Sequence, residues 1–211
     1  MQPKREFLLT RYIAAFLIAT FAFIMFFIFG NAISYINYQS ISQEQGLIEQ
    51  SIESIDKALL DFSCNPDLLV ESSEKLDNVA SKLTLLEKRF GKRDERVLEQ
   101  KKLYSELEYR HLNLTRGFNE QCGSSYVMVI FFYSNLNGAK ESESERMGYI
   151  LTAFERRQAE RIMIYSFDYD LDYELIKQLI ARYGVASAPI VIVDNDSIYV
   201  RNIDELEKYI D

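Results

Sequence analysis

The chain has 211 residues, a formal charge of −8, 14 Tyr, 14 Phe, no Trp and two cysteines. An acidic balance of this size argues against a nucleic-acid partner, which requires a basic footprint. The charge favours solubility of an exposed domain and selects no substrate.

The first element is apolar. Residues 12–36 carry no charge and are rich in Phe, Ile, Leu and Ala. At about 1.5 Å per residue, the run is long enough for a bilayer core of roughly 30 Å. Tyr12 at one end and Tyr35 and Tyr38 at the other suit the headgroup region. Three readings compete. A cleaved signal peptide has a shorter apolar core and a small-x-small site, of which Gly30-Asn31-Ala32 is a poor version. A core helix is the second, set against a run apolar on every face. An uncleaved single-pass signal-anchor is the expectation. Lys4, Arg5 and Arg11 precede the run, and no base follows it closely. The positive-inside rule therefore predicts a cytoplasmic tail over 1–11 and an extracytoplasmic remainder.

Residues 38–121 show the heptad-like spacing of a helical stalk. Ile48, Ile52, Ile55, Leu59 and Phe62 form one stripe, and Leu69, Ser72, Leu76, Val79, Leu83, Leu86 and Phe90 a second. Val97, Gln100, Tyr104, Leu107, His111, Leu114 and Phe118 form a third, more polar stripe. Such seams pack against other helices, within the chain or in a second copy, so homo-oligomerisation through the stalk is open. Breaks fall at Cys64-Asn65-Pro66-Asp67 and Phe90-Gly91-Lys92-Arg93-Asp94, where proline suits a first turn and glycine a stop. The simplest arrangement is three helices that fold back on one another; a single extended coiled coil is the alternative.

Folding back would bring Cys64 and Cys122 to the same end. An even pair in an oxidising compartment then reads as a structural disulfide, with free thiols or an intermolecular bridge as alternatives. Closing a loop of about 58 residues contributes on the order of 4 kcal/mol in the chain-entropy picture. Lys88, Arg89, Lys92, Arg93 and Arg96 cluster at the other turn. They read as a membrane-surface patch on anionic headgroups, or as a solvated turn whose bases complement a helix C-terminus.

From Tyr126 the pattern changes to strands alternating with helices. Strands are expected at 126–133, 161–167, 190–193 and 198–200, and helices at about 142–158, 173–183 and 203–210. Gly184 sits where a helix takes a left-handed C-cap. Asp194-Asn195-Asp196-Ser197 is turn chemistry.

Two segments resemble the thioredoxin-like superfamily. Val129-Ile-Phe-Phe-Tyr-Ser-Asn-Leu-Asn-Gly-Ala-Lys140 is similar to its first strand and active-site turn. Arg182-Tyr-Gly-Val-Ala-Ser-Ala-Pro-Ile-Val-Ile-Val193 is similar to its helix end, cis-proline loop and following strand. The resemblance implies an α/β domain of order βαβαββα over residues 124–211, preceded by the transmembrane helix and the stalk. The positions of the two redox cysteines hold Leu136 and Ala139. Thiol–disulfide exchange needs an attacking thiolate and a resolving sulfur, and neither residue supplies one. The resemblance further implies a peptide groove formed by Leu136, Asn137, Gly138, Ala139, Ala188 and Pro189, where an extended segment adds strand-like hydrogen bonds reversibly.

Other candidates are weaker. Cys122-Gly123-Ser124-Ser125 has the form of a monothiol motif but precedes the strand it should follow. His111, the sole histidine, has no second ligand nearby and reads as packed or interfacial, so no metal site is expected. Asp168, Asp170 and Asp172 lack the glycine and terminal glutamate of a calcium loop and read as loop residues, with Asp172 as a helix N-cap. Glu141 to Glu145 reads as an acidic helix start. Asn113-Leu114-Thr115 and Asn195-Asp196-Ser197 fit the glycosylation pattern. No cofactor is expected. The functional expectation is a membrane-anchored, non-catalytic protein that binds or scaffolds a peptide or protein partner. The alternative is a thiol oxidoreductase using Cys64 and Cys122 outside the usual turn.

Overall fold

The computed structural model describes residues 4–60, 62–136, 138–158, 161–193 and 196–209. The chain divides into two units, Met1–Gln43 and Glu44–Asp211. Helix α1 (Lys4–Leu60) gives its N-terminal part to the first unit and its last turns to the second.

In the first unit, Thr10–Ala32 has a mean hydropathy of 2.6 over 23 residues, and none of it is buried inside the protein. Phe16, Phe21, Phe26 and Phe29 all point outward. This is a helix long and apolar enough to cross a membrane, and its exposure argues against a globular core helix.

In the second unit, α2 (Pro66–Phe90) begins with Pro66 in its first turn and the Asn65 side chain accepting from the Asp67 N–H. It stops at Gly91, whose φ of 96° is a conformation other residues adopt only under strain. Asp94 caps α3 (Glu95–Cys122) by accepting from the Arg96 N–H. The helices fold back. The Phe62 ring meets Phe118 edge-on at 5.2 Å, Asp56 pairs with Arg110, and Lys75 donates to the Ser54 hydroxyl. Gly117 leaves room for Phe62: a Cβ there would stand 3.1 Å from its ring.

Strands β1 (Val127–Tyr133), β2 (Ile162–Asp168), β3 (Ile190–Val193) and β4 (Asp196–Ile198) form a mixed sheet of order β2-β1-β3-β4. β1 is parallel to β2 and antiparallel to β3, and β3 is antiparallel to β4. Helices α4 (Gly138–Gln158), α5 (Glu174–Tyr183) and α6 (Asp204–Glu207) complete the element order. Alternation along β1 sends Ile130 and Phe132 to one face and Val129 and Phe131 to the other. Val129 and Phe131 pack with Met147, Leu151 and Phe154 of α4. Ile130 and Phe132 share a core with Leu69 and Leu76 of α2, Leu107, Leu112 and Leu114 of α3, and Ile176 and Leu179 of α5. The helices expected to form a spacer therefore share the core of the sheet, and α3 is buried towards α2 and towards β2 at once.

Several details differ from the sequence expectation: α4 begins at Gly138 instead of about residue 142, and α6 is confined to Asp204–Glu207 instead of 203–210. β4 begins at Asp196 instead of Ile198 because Asp196 pairs directly with Val193. The α5 N-cap is Tyr173, without a side-chain capping bond, while Asp172 pairs with Lys177. Gly184 takes the expected left-handed C-cap with φ 63°.

Candidate functional site

The register sets the site. Ile190 pairs with Phe132, so the loop that ends at Pro189 and the turn that follows Tyr133 lie at the same end of the sheet. There Leu136 and Ala139 are exposed, Ala188 is buried and Pro189 is half-buried. Gly138 opens α4 with φ 27°, and the Ala188–Pro189 peptide is cis. Asn137 lies outside the described residues. The described groove residues are thus gathered at one end of the sheet, although the two apolar side chains there provide no nucleophile.

A polar network pins this turn from below. The Ser134 N–H donates to the Ser144 hydroxyl at 2.9 Å and the Ser134 hydroxyl to Asp170 at 2.5 Å. The Asn135 N–H reaches the same Asp170 oxygen, and the Asn135 amide donates to Asp168 at 2.8 Å. Beneath them Lys101 of α3, 1% exposed, stands 2.8 Å from Asp168 and 2.9 Å from Glu87. Its ammonium also lies 5.6 Å from the Tyr133 ring centre. A buried ammonium is tolerable only when carboxylates replace its water, and here two do. The aspartates read as loop residues are thus the anchors of the turn. The opposite signs of Lys101 and Asp168 were the only trace of this in the sequence.

Two turns along α3, Glu108 is equally buried, at 1% exposure. Its Oε1 accepts from the Ser166 N–H on the outer edge of β2 at 2.8 Å. Its Oε2 has no hydrogen-bond partner among the described residues. Burial raises its pKa to about 8, offset only in part by the Ser166 N–H and the nearby Tyr104 hydroxyl. At neutral pH the folded protein therefore holds it mainly as the acid. Sequence reasoning missed this residue because it lies beside the apolar stripe, on the flank that β2 covers.

His111 is packed, as its position on the stripe implied. Its Nδ1 lies 2.9 Å from the Tyr165 hydroxyl, which meets Thr115 at 2.8 Å, and its Nε2 lies 3.1 Å from the Ser73 hydroxyl. Ser73 donates its proton to the Leu69 carbonyl. The chain closes if Nε2 carries the hydrogen, so His111 is no base for Ser73. Burial lowers its pKa to about 4.

Cys64 and Cys122 form a disulfide, with 5.5 Å between their Cα atoms, joining the α1–α2 connection to the end of α3. In the basic cluster, Lys92 pairs with Glu141 and Glu145 of α4, and Arg96 pairs with Asp94 and lies over the Phe90 ring. Lys88 and Arg89 occupy the last turn of α2, and Arg93 is exposed in the following turn. The cluster is therefore partly neutralised from within. Of the two sequons, Asn113 lies inside α3 and accepts from Arg116, and Asn195 is outside the described residues.

No protein-family model matches the chain, and no curated protein matches it.

Proposed function

We propose that the protein is a membrane-anchored, extracytoplasmic, thioredoxin-like module without redox catalysis, which binds a peptide or protein segment at the end of its sheet. The observation that carries this reading is the distribution of sulfur. The turn after β1 presents Leu136 and Ala139, and both cysteines are bonded to each other away from it. The strand order β2-β1-β3-β4, with β1 and β2 parallel and β3 and β4 antiparallel, supports the thioredoxin-like part. The basic residues before Thr10–Ala32 support an orientation with the N-terminus inside. A Cys64–Cys122 bridge supports an oxidising compartment for the rest. Lys101, Asp168 and Asp170 would hold the binding turn rigid without a metal or cofactor, which is what reversible recognition needs.

The test uses the full chain in its membrane, with a photoreactive side chain at Ala139. The reading predicts a discrete protein adduct that is lost when Ala188→Asp closes the groove, together with a Cys64–Cys122 bridge that resists thiol buffers. Absence of any adduct, together with a bridge that exchanges at the poise of ordinary thiol pools, would instead support an oxidoreductase.

A further inference from the structure

Along the outer edge of β2, away from the turn discussed above, α2 and α4 leave a cavity of about 400 Å³. Asp77 of α2 and Glu145 and Glu155 of α4 contribute acids, Tyr104, Tyr149 and Phe131 contribute rings, and Glu108 also lines it. A second cavity of about 280 Å³ shares Leu76, Asp77, Glu155 and Ile164 with the first and adds Glu74. Among the described residues, no lysine or arginine lines either one.

The charges here are only partly compensated. Glu145 is engaged by Lys92, but among the described residues Glu74, Asp77 and Glu155 form no salt bridge. The pKa of Asp77 is raised by burial and by Glu74, and that of Glu155 by burial and by Asp77 against the opposing pull of Arg156. Separately from these carboxylates, the Glu108 Oε2 is buried without a donor. A fold that satisfies Lys101 with two carboxylates supplies no cation to Glu108, which keeps its proton and would release it to solvent as an arriving cation takes its place.

We propose that this cleft binds an alkylammonium group, held between Asp77 and Glu155 with Glu108 in the cavity wall, and with its carbon chain against Tyr104 and Tyr149. An ammonium is a compact charge with three rotatable donors, so it can meet acids supplied singly by different helices and leave a remaining donor to water. A guanidinium prefers a carboxylate met side-on by its fork. Aromatic faces add attraction for a cation. An inorganic ion fits less well, because among the described residues no group of three or more His, Cys, Asp or Glu converges. The same chemistry comes from two sources, a free diamine or a lysine side chain of a bound peptide. The inference does not rest on the thioredoxin-like reading, since it uses none of the residues of the turn after β1 or of the Pro189 loop.

The experiment is calorimetric titration of the full chain in mild detergent with 1,5-diaminopentane, with the peptide Gly-Lys-Gly blocked at both ends, and with calcium chloride. Saturable binding of either amine is expected. Tighter binding of the diamine identifies a small-molecule site; tighter binding of the peptide identifies a lysine side chain. Asp77→Asn combined with Glu155→Gln should weaken the amine by about tenfold or more, and Glu108→Gln, which keeps the acceptor for Ser166, should do the same. The paired variant changes exposed or half-exposed positions, so it remains informative if Glu108→Gln fails to fold. No amine binding, amine binding unchanged in the paired variant, or calcium binding in preference to both amines would each overturn the proposal.

Discussion

Lys101 and Glu108 stand two turns apart on one flank of α3, both 1% exposed and both facing β2. Lys101 is surrounded by Asp168 and Glu87, and through Asp168 it fixes the turn at the end of β1. Glu108 has one backbone N–H and an oxygen with no donor, at the wall of an acid-lined cleft. Burial is the same at both positions; what differs is the partner. A buried charge with partners is a piece of architecture, and one without them signals a missing ligand or a retained proton.

The strongest way to break this contrast is to remove a partnered charge. Lys101→Met leaves Asp168 buried beside Glu87 without a cation, and we expect a loss of about 3–5 kcal/mol in urea unfolding. Adding Asp168→Asn should return part of that loss, and a simple sum of the two single effects would show that the pair is not coupled. The disulfide acts on the same three-helix layer through a covalent constraint. Replacing Cys64 and Cys122 by Ser should cost on the order of 4 kcal/mol, read from the unfolding midpoint together with a slope that rises as the uncrosslinked unfolded chain expands.

His111 sharpens the comparison from the neutral side. Its folded pKa of about 4 lies below the ordinary value near 6.5. Between these values the unfolded chain binds more protons, so the stability present above pH 6.5 is lost as pH falls towards 4. The loss should approach about 3 kcal/mol. His111→Asn should flatten that slope in unfolding measured at a series of pH values. Glu108 bends the curve the other way. Its folded pKa of about 8 exceeds the ordinary value of 4.5, so the folded state holds the extra proton and stability falls as pH rises from 4.5 through 8. The raised pKa values of Asp77 and Glu155 lean in the same direction. Glu108→Gln should therefore gain about 1–3 kcal/mol over the wild type at pH 8, and less at pH 5.

Much of the frame was legible in the sequence. Charge-free Phe and Ile marked the apolar helix, Pro66 and Gly91 marked the helix ends, and the fold-back they imply brings Cys64 and Cys122 together. The strands of the sheet were visible in their β-branched runs, apart from the shift at β4. Hidden from the sequence was the second buried flank of α3. A period of three and four residues picks out Val97, Gln100, Leu107, His111 and Leu114, the seam any amphipathic helix would bury. Lys101, Ser105, Glu108, Leu112 and Thr115 are buried as well, because β2 packs against a helix that α2 already covers. Local periodicity cannot report a second neighbour supplied by a strand some 60 residues away. The polar character of that flank suggested solvent, and both members of the central contrast were overlooked for that reason.

The most direct test is to unfold wild type, Lys101→Met and Glu108→Gln side by side at pH 8, using the full chain in mild detergent. If partners decide the role of a buried charge, the two variants move in opposite directions, Lys101→Met less stable than wild type and Glu108→Gln more stable. Movement in the same direction would contradict the account.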